Sequence, residues 1–316
     1  MKYPLAIALL MGVSVRPARP CDLCAVYNAS AARGESGAGF HVTLAEQFAR
    51  SGTLQHNGDE VSDPFHQFRD SWITSVIPGY NFNERFGVSL NVPYIYRSFR
   101  RVEDSVVERG TESGLGDISL LGRFVAYAKP EHDYSAFVSL LAGVEFPTGD
   151  TGRLREEVNE VEDPLAPSSG VHGDDLTLGS GSFDPLIGLS GNARWKQFLF
   201  GLDVQYFIRT RGDFGYRFGN ELSISGGPGY YLLFKEFQTL ALMANVNYET
   251  KARDHVRGEK RDSGILTSWY AGPGLVFTWG EHFSATVNAD LPIRIVTRDF
   301  QTVPDYRVRG GLTWNF

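Results

Sequence analysis

The stretch Tyr306-Arg307-Val308-Arg309-Gly310-Gly311-Leu312-Thr313-Trp314-Asn315-Phe316 decides the reading of this chain. Taken in steps of two, Tyr306, Val308, Gly310, Leu312, Trp314 and Phe316 share one side, and Arg307, Arg309, Gly311, Thr313 and Asn315 share the other. Successive side chains of a β-strand point to opposite faces, so this is one apolar stripe backed by a polar one. A strand with lipid outside and water inside has that pattern. So does a strand of a soluble sandwich with its apolar face in the core. The remainder of the chain separates the two.

The pattern recurs upstream. The cleanest copy is Phe86 to Phe99, where Phe86, Val88, Leu90, Val92, Tyr94 and Tyr96 alternate with Gly87, Ser89, Asn91, Pro93, Ile95 and Arg97. Further period-two segments lie near Phe40 to Arg50, Arg69 to Phe82, Asp117 to Tyr127, Tyr134 to Pro147, Ser182 to Trp195, Phe198 to Arg209, Gly219 to Phe234, Thr239 to Lys251, Ile265 to Trp279 and Phe283 to Ile295. With the last strand that predicts twelve. The gaps after even-numbered strands are a few residues long, whereas those after odd-numbered strands are longer and rich in charge. A sandwich has no reason to sort its loops this way. A transmembrane barrel does, with short periplasmic turns and long outer loops. The predicted fold is therefore all-β: a twelve-stranded antiparallel transmembrane β-barrel over residues 39–316. Glu46 falls on the apolar side of the first strand, and a register change is expected near it.

Composition agrees. No apolar run approaches the roughly 20 residues of a membrane helix. The formal charge of −7 and the lack of a basic cluster with interleaved aromatics speak against nucleic acid as a partner. Lys2, the apolar run Leu5 to Val15 and the small residues near Gly12 to Ser14 read as an export signal over residues 1–20. Residues 21–38 then form a periplasmic segment holding both cysteines, Cys21 and Cys24. In an exported chain this pair can form a local disulfide or meet a periplasmic redox or metal partner, and lipid attachment at Cys21 is a further option. Ala25 follows Cys24, so this is not a haem-attachment motif.

Once apolar parity is assigned to lipid, the opposite parity lists the lumen: Arg97, Arg123, Glu145, Asp184, Arg194, Asp203, Arg209, Glu221, Glu249, Lys251, Asp290, Arg294, Arg307 and Arg309. Each Arg or Lys on the lipid face near mid-membrane would cost roughly 2–4 kcal/mol. These charges either pair with one another around a filled interior or line a hydrated path. The polar stretch Thr148 to Gly181 is long enough to fold into the barrel. Its Arg153, Arg155, Glu156, Glu157, Glu160 and Glu162 are expected to latch onto wall charges such as Arg307 and Arg309. His56 and His66, with Asp59, Glu60 and Asp63, offer either weak cation ligands or a solvated loop. His132 with Ser135 is the closest Ser–His spacing, but it sits on a periplasmic turn.

Three short motifs carry a family resemblance: Gly114-Leu115-Gly116-Asp117-Ile118, Glu145-Phe146-Pro147-Thr148-Gly149-Asp150 and Gly179-Ser180-Gly181-Ser182-Phe183-Asp184. With the closing aromatic, they resemble the outer-membrane barrel family associated with meta-pathway phenol degradation, over roughly Phe86 to Phe316. The resemblance implies a bacterial outer-membrane channel that passes aromatic or other hydrophobic compounds. The expectation is a passive barrel with no enzymatic activity and no bound cofactor. A C-terminal strand ending in Phe316 similarly resembles the one that barrel-assembly machinery recognises. The alternatives are a structural barrel docking a partner through Cys21 and Cys24, and an outer-membrane hydrolase.

Overall fold

The computed structural model describes residues 37–103, 106–159, 167–261 and 264–316. Cys21 and Cys24, with the expected export signal over residues 1–20, lie outside the described residues. Twelve antiparallel strands close into one barrel: β1 (Gly39–His56), β2 (Phe68–Asn81), β3 (Phe86–Glu103), β4 (in two segments, Val106–Leu115 and Ile118–Pro130), β5 (Tyr134–Phe146), β6 (Asp184–Trp195), β7 (Phe198–Phe207), β8 (Glu221–Lys235), β9 (Gln238–Lys251), β10 (Leu266–Trp279), β11 (Phe283–Thr297) and β12 (Gln301–Asn315). β12 returns to β1, with His41 opposite Asn315 and Arg50 opposite Tyr306. Closure leaves no edge in the hydrocarbon, where an unpaired backbone N–H or C=O would cost several kcal/mol.

The alternation does what the last strand promised. Outward residues form an apolar band bounded by two aromatic belts. At the periplasmic end Phe40 meets Phe316 at 5.6 Å between ring centroids, and Phe283 meets Trp314 at 5.7 Å. At the outer end Phe48 meets Trp72 at 4.7 Å, Trp72 meets Tyr96 edge-on at 5.5 Å and Tyr248 meets Trp269 at 4.6 Å. The short turns cluster at the periplasmic end and the long segments at the other. No helix among the described residues is long and apolar enough to cross a membrane.

Four expectations need correcting. The fourth strand has an outer segment, Val106–Leu115, that pairs with Tyr94–Glu103 of β3. It projects beyond the outer aromatic belt, where neither face has to be apolar, so no alternation marks it. The register change expected near Glu46 falls four residues further on and only against β12, between Arg50 and Thr53, while β1 and β2 pair without interruption from Gly39 to Ser51. Glu46 faces the lipid side, accepting a 2.5 Å hydrogen bond from Thr74 beside the bare backbone of Gly310. A bulge at Ile293 instead shifts the parity of β11: Tyr270 opposes Pro292 while Trp269 opposes Arg294. Arg294 therefore points outward with Trp269, and the buried Ile295 points inward. Fourth, β1, β11 and β12 run further toward the outside than their periodicity indicates.

Pro292 and Pro304 produce the largest irregularity of the wall. β11 and β12 pair from Phe283–Trp314 to Asp290–Arg307, and no rung follows. Proline has no N–H to donate to a ladder, so the two outer halves separate. The fissure is a cavity of about 520 Å³ lined by residues such as Ile293, Arg294, Pro304 and Asp305. The buried side chains of Tyr270, Ile295 and Val303 back it on the lumen side.

Candidate functional site: a lidded lumen

The three motifs meet at one point. The Asp117 carboxylate, between the two segments of β4, accepts from Thr148 N–H at 3.0 Å, Gly149 N–H at 2.9 Å and Ser180 N–H at 2.6 Å. One side chain thus ties down both ends of the segment 148–181. Gly149 and Gly179 are required by close approach. A Cβ on Gly149 would lie 2.6 Å from the Leu178 carbonyl, and one on Gly179 would lie 2.7 Å from Asp117 Oδ1. Asp184, also fully buried, accepts from Ser182 Oγ at 2.9 Å and Thr210 N–H at 2.7 Å, and pairs with Arg209 at 2.9 Å.

Hung on this anchor, the segment folds into the outer mouth as a lid carrying α1 (Gly152–Asn159) and α2 (Gly173–Leu176). Leu154 and Val158 of α1 bury against Tyr216 and Val256 from two neighbouring outer loops, while Val171 and Leu176 bury against Phe99 of β3. The lid is latched by charge, but not where the sequence pointed. Arg153 pairs with Glu112 at 2.6 Å and Glu156 at 2.8 Å, and Glu156 also takes Arg101 at 3.0 Å. Arg155 lies over the Phe214 ring at 4.9 Å, and Glu157 accepts from Gly173 N–H at 3.1 Å. Glu160 and Glu162 lie outside the described residues. Arg307 and Arg309 are already occupied: Arg307 pairs with Glu249 and Asp290 at 2.8 Å, and Arg309 with Asp290 at 2.9 Å.

Beneath α2 sits a buried charge cluster. His172 Nε2 donates to the Phe300 carbonyl at 2.9 Å, Asp175 pairs with Arg69, and Lys251 lies 2.9 Å from Asp254 and 3.7 Å from Asp174. Burial alone would push the His172 ring down. The carboxylates of Glu157, Asp174 and Asp175 and the Phe300 carbonyl outweigh it and hold the pKa up at about 9. Burial, then the neighbouring Asp175, raise Asp174 to about 6. Burial also opposes charge on Asp175, but Arg69 and His172 hold it below the usual carboxylate range.

The remaining residues expected in the lumen fall as follows. Arg97 points in under the lid and donates to the Thr177 carbonyl. Arg209 gathers Glu145 at 2.5 Å and Glu221 at 3.1 Å as well as Asp184. Arg194 is inward but at the periplasmic rim, where it donates to the Lys196 carbonyl at 2.6 Å and lies over the Phe234 ring. Arg123 donates to Asn81 Oδ1 at 2.9 Å. Together with Asp203 and Arg309 it lines a cavity of about 520 Å³ in the periplasmic half of the lumen. The other walls of this chamber are mainly hydroxyls and amides, among them Thr43, Ser190, Asn192, Ser225, Asn245, Asn247, Thr286 and Asn288, with Leu121, Phe137, Leu141, Met243 and Val276 as an apolar part. Sequence reasoning weighed charges and passed over these neutral groups, although each lies on the inward parity of its strand.

Metal and catalytic readings gain no geometry. Among the described residues no group of three or more His, Cys, Asp or Glu side chains is placed to hold a metal ion. His56 stacks on Phe300 at 4.1 Å, and Asp63 accepts from the backbone of Phe65 and Gln67. His132 is exposed and bonds Asp133 at 3.1 Å, whereas Ser135 is buried at the start of β5.

The architecture can be set beside known ones. It is similar to the crystal structure of an outer membrane channel from Pseudomonas putida F1, with a TM-score of 0.59 and 13% identity over 96% of this chain and 100% of that one. The fold is that of an outer-membrane barrel. The β-domain of the Bordetella autotransporter BrkA (TM-score 0.46, 9% identity over 89% of this chain and 100% of that one) is too distant to add to this. No family model and no curated protein matches the sequence. The apolar band with its two aromatic belts places the barrel in a membrane, and this fold places it in the bacterial outer membrane.

Proposed function

We propose that the barrel is a channel for the passive passage of a small molecule, without enzymatic activity, and that the lid controls its outer mouth. The observation that carries this reading is the chamber. About 520 Å³ of lumen remains, walled mainly by neutral hydrogen-bonding groups with Arg123, Asp203 and Arg309 among them, while the charges above it are consumed in pairs. A filled scaffold barrel would have no use for such a space. Amides and hydroxyls can satisfy a passing solute's polar groups without holding it as a charge would.

The hydrophobic or aromatic class follows from two features. Leu121, Phe137, Leu141, Met243 and Val276 offer the chamber an apolar part. The fissure between β11 and β12 brings an apolar-backed opening to the membrane side of the wall. In this reading residues 1–20 direct export, residues 21–38 form a periplasmic segment, and the strand ending at Phe316 guides assembly of the barrel.

Single-channel conductance of the refolded barrel in a planar bilayer tests the proposal. A low conductance that rises in Arg153→Ala, and whose ion selectivity shifts in Arg123→Glu, is the expected result. A folded barrel that stays silent with its lid released would end the channel reading.

A further inference from the structure

The outer rim of β3 and β4 carries a basic patch that the lumen does not use. Arg97, Phe99 and Arg101 point inward, since each touches the lid, so Ser98 and Arg100 point outward. On the outer segment of β4, Glu108 and Glu112 reach inward to Arg153, so Arg109 and Thr111 also point outward. The register places Arg100 directly opposite Arg109 on one side and Phe68 on the other. Like charges directly opposite across a strand pair destabilise it. Asp70, the acid sharing this face among the described residues, is engaged by Arg50, whose Nη1 lies 3.0 and 2.7 Å from its two oxygens. Arg50 in turn lies 4.9 Å over the Phe68 ring. Arg100 Nε is shielded from solvent and has no hydrogen-bond partner.

Two opposed guanidinium groups and an orphaned buried donor describe a site built around an anion. Its depth identifies the anion's carrier. The outward parity that bears Phe48, Trp72 and Tyr96 in the outer aromatic belt continues into Arg50, Asp70, Ser98 and Arg100, so the patch lies just beyond the hydrocarbon and faces the surrounding membrane. Phosphates of outer-leaflet glycolipid lie at that level. Guanidinium forks match phosphate oxygens two at a time. We propose that Arg100 and Arg109 clamp a phosphate of the phosphorylated glycolipid of the outer leaflet, with Phe68 and Arg50 as the flanking wall. The proposal rests on the barrel's place in the membrane and not on what it passes.

The test uses the full chain in phosphatidylcholine nanodiscs containing bisphosphorylated lipid A, with glycolipid retention read by native mass spectrometry. At about a five- to sixfold loss per arginine, the Arg100→Gln/Arg109→Gln double variant should retain the glycolipid about thirtyfold more weakly. Arg100→Lys/Arg109→Lys should keep an intermediate affinity, and Lys235→Gln, at the periplasmic end, should match the parent. Dephosphorylated lipid A should be retained no better by the parent than by the double variant. Heat-modifiable gel mobility verifies that each variant is folded, and unchanged conductance separates this site from the channel reading. Retention unaffected by the double substitution, or equal retention of the dephosphorylated glycolipid, would overturn the proposal. Displacement by inorganic phosphate alone at matched concentration would also overturn it, by assigning the site to a soluble anion.

Discussion

The outer and periplasmic halves of the lumen are lined by the inward faces of the same twelve strands, yet they are different materials. Above, Arg209, Arg307, Lys251 and Arg69 each hold acids at ion-pair distance, and the lid adds Arg153 and Glu156. Below, the wall is chiefly serine, threonine and asparagine around an open chamber. The strands alone set which side chains face in. The outer segments fill the interior at their end, because there, among the described residues, lie the connections long enough to enter the barrel. The upper half is thus a packed protein interior with ionic bonds, and the lower half an open chamber walled mainly by neutral polar groups.

The largest break in this comparison should come from Asp290, which is fully buried and shared by Arg307, Arg309 and Asn247. Asp290→Asn leaves two arginines without their common acid and should lower stability by about 3 kcal/mol, near the low end for a broken buried pair because Arg307 keeps Glu249. Urea unfolding of the detergent-refolded barrel measures it. Leu154→Ala, in the lid's own small core, should cost about 2–3 kcal/mol. That loss falls on the lid and not on the wall, so faster amide exchange over residues 152–159 with an unchanged barrel melting temperature is the expected signature. An equal loss throughout would mean that lid and wall are one cooperative unit.

Acidity should sharpen the contrast. His172 and Asp174 both hold protons more tightly with the lid in place than they would in water. A raised pKa gives stability that is present below the free value and lost as pH rises through the bound one. The Asp174 contribution therefore fades between about pH 4 and 6, and that of His172 between about pH 6.5 and 9. Conductance should rise steadily from pH 5 to 9, and His172→Gln should remove the upper part of that rise. A flat profile would show that the cluster does not couple to the lid. The smallest expected effect lies at the periplasmic end, where the Thr239 and Thr278 hydroxyls bond at 2.6 Å. Thr239→Val should cost about 1 kcal/mol by thermal melting and leave conductance unchanged.

The barrel was legible because membrane burial imposes a period of two on every spanning segment, from Phe40 to Phe316. Legibility stopped where that constraint stops. Most of Val106–Leu115 rises past the hydrocarbon, and Arg294 changes sides through a bulge whose cause, Pro292 with Pro304, is visible only once the partner strand is known. The site was legible in part for a related reason. The three glycine and aspartate motifs were conspicuous as turns, but their convergence on Asp117 joins residues about 30 and 60 positions apart, a spacing no local pattern encodes. The lid's partners, Arg101 and Glu112, were hidden likewise, since any of the many charges in the outer loops could have met Arg153.

The missing rungs above Asp290 and Arg307 also change the barrel as a mechanical object. Below them it is an unbroken hoop, and any change in girth must stretch or shear hydrogen bonds. Above them it is a split ring. There the circumference can widen or narrow by parting β11 from β12 while every existing rung stays intact, within the reach of the short connection from Thr297 to Gln301 and against the contact of Tyr270 and Ile295 with Val303. The wall is thus stiff at the inner leaflet and compliant at the outer one, with two prolines marking where the stiffness changes.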